Sequence, residues 1–167
     1  ITKSKIVSWF QGKLEFGPRG LGNRSILADS RNNEMKNIIN KKIKLRESFR
    51  PFAPSILEEN FDEYFDYSQK IPFMNQVINV RQNKKEKIPA VVHVDGTARV
   101  QTVSKEENEK YYNLIKTFYK KTGVPILLNT SFNVNSPICE SPEDAFECFM
   151  KTDIDLLVLE NWTLKKI

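Results

Sequence analysis

Cysteine and histidine are scarce in this sequence: Cys139, Cys148 and His93 are all that 167 residues contain. Two thiols and one imidazole cannot form a tetrahedral zinc site without recruiting carboxylates, and they form no disulfide framework. Both thiols read as simple buried side chains of a reducing compartment. No stretch approaches the roughly 20 apolar residues of a membrane-spanning helix, and the first residues carry no signal-peptide pattern, so the expected location is cytoplasmic, with no membrane partner. Internal repeats, low-complexity tracts and linkers are missing as well. The composition, 40% hydrophobic and 28% charged, is that of an ordinary globular domain. A chain of this length buries one core without covalent staples, and a single domain over residues 1–167 is expected. Because the chain opens on Ile1 with a strand-like stretch, it reads as a piece excised from a longer protein.

Acidic residues are sparse in one region. Residues 13–50 hold ten Lys or Arg against four Asp or Glu, a net +6, while the remaining residues sum to −1. Such an excess attracts anions, whether nucleic acid, an acidic membrane surface or small phosphates, or else forms a solvated basic face.

Residues 5–16 (KIVSWFQGKLEF) have the β-branched and aromatic content of a strand interrupted at Gly12, and they run into a turn-rich loop over residues 17–25. Met35, Ile38, Ile39 and Ile43 share one face of a helix over residues 34–44. Pro51 and Pro54 then force extended chain over residues 53–57, and residues 61–67 suggest a short aromatic helix. Residues 72–80 and 90–94 read as strands, the second joined through Asp95-Gly96 to residues 98–103 as a hairpin. Ser104 with Glu107 predicts a capping box before a helix carrying Tyr111, Leu114, Ile115 and Phe118, with Gly123 as its stop. The apolar run of residues 124–128 is a buried strand leading into a polar loop over residues 129–137. Ser141 and Pro142 open a last helix, and residues 156–159 form a final strand. Intermixed strands and helices of this kind predict one α/β domain with a twisted mixed sheet flanked by helices.

Four segments carry candidate chemistry. GPRGLGNRS (residues 17–25) offers three glycines for close backbone approach and two guanidinium forks, Arg19 and Arg24, suited to phosphate or carboxylate. IKLRESFRPFAP (residues 43–54) holds Lys44, Arg46 and Arg50 within seven residues on a chain stiffened by Phe and Pro; three cations so held repel unless an anion sits among them. HVDGTARVQTV (residues 93–103) places Arg99 alone in an otherwise uncharged strand, where it requires a partner. His93 reads there as a satisfied strand histidine and Asp95 as a turn residue. NTSFN (residues 129–133) follows the apolar strand and presents Ser131 and Asn133 as neutral hydrogen-bonding groups.

Taken together, FGPRGLGNRSILADSR, IKLRESFRPFAP, HVDGTARVQTV and TGVPILLNTSFNVNSPI resemble, in order and separation, the C-terminal domain of the NodU-type carbamoyltransferases, which modify nodulation factors and antibiotics. The resemblance covers almost the whole chain and implies a YrdC-like fold. It further implies that Lys44-Leu45-Arg46 and Ser131-Phe132-Asn133 match the K-x-R and S-x-N pairs holding a small carbonyl substrate and phosphates, with Lys44, Arg46, Ser131 and Asn133 as catalytic residues. Arg19, Arg50 and Arg99 match positions lining the ATP and carbamoyl phosphate site. The implied activity is formation of carbamoyl-adenylate from ATP with Mg2+ and carbamoyl phosphate. Transfer to an acceptor hydroxyl would need an N-terminal domain that holds a further metal, whereas no metal ligands are expected in this chain. Gly20 stands where the family usually has alanine and Ser30 where it usually has proline. Two other readings remain at this point: a stand-alone YrdC-like threonylcarbamoyl-adenylate synthase, and an RNA-binding domain supported by the +6 segment but lacking any RNA-binding signature.

Overall fold

The computed structural model describes residues 1–166. Its strands are β1 (Val7–Phe10), β2 (Arg24–Asp29), β3 (Ala53–Leu57), β4 (Gln76–Asn79), β5 (Thr97–Val103), β6 (Ile126–Ser131), β7 (Leu156–Leu159) and β8 (Trp162–Leu164). Between them lie helices α1 (Met35–Lys42), α2 (Phe61–Tyr64), α3 (Glu109–Thr122) and α4 (Pro142–Met150). The strands form one mixed sheet in the order β4-β5-β3-β6-β2-β1-β7-β8, with β3–β5 and β1–β7 parallel and the other pairings antiparallel. This is the α/β architecture with a mixed sheet that the element pattern predicts.

All residues of β2 and β3 are buried, as expected for central strands covered on both faces. β6 begins buried at Ile126 to Asn129 and emerges half-exposed at Thr130 and Ser131. The strand thus leads straight out of the core, and residues 129–131 belong to it rather than to the predicted loop. α3 lays Tyr111, Tyr112, Ile115 and Phe118 against the core, over β3 and β6. It ends as predicted at Gly123, whose φ of +71° is a left-handed conformation that glycine adopts without penalty. Its start is later than the Ser104/Glu107 pair predicts. Ser104 Oγ does accept from the Glu107 N–H at 3.3 Å, but the N-cap is Asn108, whose Oδ1 accepts from the Tyr111 N–H at 3.0 Å. The complete capping box belongs to α4: Ser141 Oγ accepts from the Asp144 N–H and Asp144 Oδ2 from the Ser141 N–H.

Residues 90–94 are not a strand. Pro89–Val91 forms a 3-10 turn, and β5 pairs with β4 instead. The Asp95-Gly96 turn does form, closed by His93 N–H to Thr97 O at 2.8 Å with Gly96 at φ +83°, but it is a loop entry to β5 rather than a hairpin tip. β2 and β8 carry no sequence signal of their own and were not predicted. β2 follows a glycine-rich loop and has charged residues at both ends, which hides it.

Candidate functional site

The C-terminus of α1 sets the geometry of the K-x-R segment. Lys44 N–H closes onto Ile39 O at 2.8 Å, Arg46 N–H reaches back to Asn40 O at 3.0 Å, and Leu45 between them takes the left-handed turn position at φ +49°. A non-glycine residue there is strained, so the surrounding contacts must hold it. The reversal at Leu45 separates its two neighbours. Lys44 goes into the protein and is 5% exposed, whereas Arg46 faces a pocket.

Lys44 Nζ donates to Ser131 O at 2.7 Å, Asn133 O at 2.8 Å and Asn133 Oδ1 at 2.9 Å, so all three ammonium protons have protein acceptors. Burial, reinforced by the nearby Arg46 charge, pushes its pKa down to about 7. Asn133 Oδ1 also accepts from Ser131 Oγ at 2.8 Å, and Asn133 Nδ2 donates to Ser136 O at 2.6 Å. Lys44 and Asn133 therefore form a clamp behind the end of β6, and among the described residues neither lines the pocket in front of it.

That pocket has a volume of about 370 Å³ and gathers Arg19, Arg46, Arg50 and Arg99 from three separate segments. Ser131 and Thr130 at the end of β6, Phe52, His93 and Asn129 complete much of its wall. Among the described residues no carboxylate lines it. Arg46 Nε donates to Asn40 Oδ1 at 2.8 Å, and its guanidinium lies 5.1 Å from the centre of the Phe52 ring. Arg50 pairs with Glu47 at 3.1 Å, an exposed bridge of little stabilising value. Arg99 is half-buried, and its Nε is shielded from water without a hydrogen-bond partner. Burial first, then Arg19 and Arg46, lower the pKa of Arg99; burial and then Arg50 lower that of Arg46. These cations oppose one another's charge, and an anion placed between them relieves that repulsion.

Arg24 is different. It is 4% exposed, donates to the carbonyls of Gln11, Asn23, Gly12 and Glu140, and stacks 3.4 Å over the Phe10 ring. The sequence offered it beside Arg19 as a fork for ligands; the structure ties it to the backbone instead. The glycine loop between them fits closely. A Cβ on Gly20 would run into the Arg24 carbonyl and stand 3.1 Å from Ser131 Cα, so glycine at this position lets the loop lie directly against the end of β6.

Two pocket residues escaped sequence reasoning. Asn129 lies in the strand, its Nδ2 held by Gly20 O, Ser55 Oγ and Gln101 Oε1 at 3.0–3.1 Å, and it braces the loop to the sheet. His93 sits on the pocket wall rather than in a strand. Thr97 Oγ1 gives its one proton to Asp95 Oδ1 at 2.7 Å, so the 3.0 Å contact between His93 Nδ1 and Thr97 Oγ1 requires Nδ1 to be the donor. Burial lowers the His93 pKa, and the neutral ring then carries its lone pair on Nε2.

A magnesium ion resident on this chain does not fit the donor set. Among the described residues no carboxylate stands on the pocket wall, and no cluster of three His, Cys, Asp or Glu side chains is placed to hold a metal. No helix of the described residues is long and apolar enough to cross a membrane.

A family profile described as Carbamoyltransferase C-terminus matches residues 1–166. The chain is 53% identical over 170 residues to Nodulation protein NolNO of Sinorhizobium fredii, covering 99% of this chain and 25% of that protein. It is 52% identical to Nodulation protein NolO of Bradyrhizobium diazoefficiens, covering 99% of this chain and 31% of the relative. With Nodulation protein U of Rhizobium tropici it shares 42% identity over 135 residues, 81% of this chain and 23% of that protein. The chain spans about a quarter to a third of the length of these relatives.

Proposed function

The chain belongs to the carbamoyltransferase C-terminal family, and from that premise we propose that its arginine pocket binds ATP with carbamoyl phosphate and forms carbamoyl-adenylate. The carbamoyl group would then pass to an acceptor hydroxyl bound by an N-terminal domain of the same protein. The observation that carries this reading is the convergence of Arg19, Arg46, Arg50 and Arg99 on one pocket without a carboxylate among its described lining. The two substrates together bring about six negative charges, and fixed guanidinium groups suit such a load because they stay charged and bind phosphate oxygens bidentately. Magnesium enters this scheme as part of the Mg–ATP substrate, held by phosphate oxygens.

The proposed chemistry has two steps. Water cleaves carbamoyl phosphate to carbamate and inorganic phosphate. A carbamate oxygen then bonds to the α-phosphorus of ATP while the bridging bond to the β-phosphate breaks, and pyrophosphate leaves with that electron pair. No side-chain nucleophile is needed, since positioning and charge stabilisation carry such transfers. Arg19, Arg46, Arg50 and Arg99 hold the phosphates. Ser131 lines the pocket wall, and with its hydroxyl proton given to Asn133 Oδ1 its Oγ is left to accept from the carbamoyl amide, while Lys44 and Asn133 are positioning residues that fix it from behind.

Pyrophosphate release from ATP tests this reading. It should depend on carbamoyl phosphate, with carbamoyl-adenylate detectable by mass spectrometry, and Asn133→Ala should reduce release more than it reduces ATP binding. Release driven by bicarbonate and threonine, and not by carbamoyl phosphate, would instead identify a threonylcarbamoyl-adenylate synthase.

A further inference from the structure

Cys139 and Cys148 come together on the wall of one cavity of about 640 Å³ that shares no described lining residue with the arginine pocket. Leu45 and Val134, the chain neighbours of Lys44 and Asn133, line it too, so the cavity lies against the Lys44 clamp. Cys139 is 5% exposed, while Cys148 on α4 is half-buried. The two thiols are hydrogen-bonded to one another, with Cys139 as the donor. That bond first, and then the charges of Lys44 and Lys151, lower the Cys148 pKa against the opposing effect of burial. Lys151 is exposed and already pairs with Glu147 at 2.8 Å, so the buried Lys44 is the cation that counts. The same hydrogen bond, with burial, pushes the Cys139 thiol up. Cys139 is also tied to the clamp through the backbone: its N–H donates to Phe132 O at 3.0 Å, and Phe132 is fully buried between Ser131 and Asn133, whose oxygens hold Lys44.

We propose that Cys139 and Cys148 form a redox site, oxidised by hydrogen peroxide to a disulfide that ties the loop after β6 to α4 and so restrains the clamp. A cysteine that serves packing alone is sealed from solvent and inert. Here one sulfur opens on a cavity, lies near a buried cation and has a second thiol in contact. The Cys148 thiolate attacks one peroxide oxygen, the O–O bond breaks, and the hydroxide that leaves is protonated to water, giving a sulfenic acid. Cys139 Sγ then attacks the Cys148 sulfur. The S–O bond breaks, hydroxide leaves with the Cys139 proton as a second water, and the S–S bond remains. The thiols together lose two electrons and the peroxide gains them. A thiol reductant reverses the bond by exchange.

Peptide mapping by mass spectrometry, with free thiols counted before and after hydrogen peroxide, tests the site on the unaltered chain. The expected result is a Cys139–Cys148 cross-link, the loss of both thiols together, and their return with dithiothreitol. Cys139→Ser should stop the reaction at a Cys148 sulfenic acid that dimedone traps, whereas Cys148→Ser should leave Cys139 unreacted. Amide hydrogen exchange of residues 132–139 should slow on the order of tenfold in the cross-linked chain and recover on reduction. Thiols that survive peroxide under conditions that oxidise glutathione, or cross-links formed only between chains, would overturn the pairing. A Cys139–Cys148 bond that leaves exchange of residues 132–139 unchanged would overturn the restraint on the clamp. None of these readouts uses ATP or carbamoyl phosphate, so they stand apart from the success or failure of carbamoyl-adenylate formation.

Discussion

Two groups of cations stand within the same short segments of this chain and behave in opposite ways. Arg24 and Lys44 are buried, and protein oxygens meet their charges: four carbonyls around Arg24, two carbonyls and one amide oxygen around Lys44. Arg19, Arg46, Arg50 and Arg99 converge on a pocket whose described lining supplies no carboxylate. Motif position does not separate the groups, since Arg24 shares a loop with Arg19 and Lys44 stands two residues from Arg46. The separation depends on where the acceptors come from. A cation whose acceptors are built into the fold supports the fold; one whose acceptors are lacking supports a ligand.

The largest effect that should sharpen this contrast is on stability. Arg24→Met should lower the unfolding free energy on the order of 3 kcal/mol, because buried carbonyls lose their donors and the ring of Phe10 loses its cation; urea denaturation measures it. Substitution by lysine should not rescue it, since one ammonium cannot reach so many separated carbonyls.

Next comes Lys44→Met, expected to cost about 2 kcal/mol near neutral pH, as three buried oxygens lose their donor while the burden of a buried charge is removed. Its pH dependence has a defined sign. The folded-state pKa of Lys44 is pushed down to about 7 from an ordinary 10.5, so between these values the unfolded chain binds a proton that the folded chain does not. Stability contributed at this site therefore rises with pH across that window and is flat below it. Denaturation at pH 6, 8 and 9.5 should show the gap between the unaltered chain and Lys44→Met widening upward. A gap that narrowed would break the assignment of Lys44 to the fold.

Pocket arginines should show the opposite profile. Arg46→Ala should weaken ATP binding about tenfold, the loss of a charge-assisted contact, with a smaller change in stability from its stack on Phe52. The smallest effect should be that of Arg50→Ala, about threefold in affinity, since this side chain is exposed and already shares its charge with Glu47. Raising the salt concentration should erase the Arg50 effect before the Arg46 effect.

Much of the fold was legible because single residues fix it. Gly123 ends α3 and Ser141-Pro142 opens α4, each through a local rule that tertiary contacts do not override. Residues 90–94 looked like a strand by composition, yet β5 found its antiparallel neighbour in β4, a choice made by long-range packing. β2 was hidden because a strand buried on both faces has no alternation to read, and its charged ends Arg24 and Asp29 resembled loop. At the site, residue type and spacing offered Arg19, Arg24, Arg46, Arg50, Arg99 and Ser131, and the resemblance to the family set Arg24 aside; the fold brings the other five to one wall. Lys44 and Asn133 were selected with them, but spacing cannot reveal that a left-handed turn at Leu45 sends Lys44 inward. Nor could it reveal Asn129, whose bracing role depends on Ser55 and Gln101 from two other strands.

The measurement closest to the central claim sets Arg99→Ala against Arg24→Met in the same two assays, calorimetric titration with ATP and unfolding in urea. Arg99→Ala should lose roughly ten- to a hundredfold in affinity while its unfolding free energy stays the same or rises, because a partly buried, unpartnered guanidinium has been removed. Arg24→Met should lose stability while the fraction that remains folded binds ATP with nearly unaltered affinity. Normal ATP binding by Arg99→Ala, or a loss of stability in Arg99→Ala as large as in Arg24→Met, would contradict the division between cations that hold the fold and cations that await phosphate.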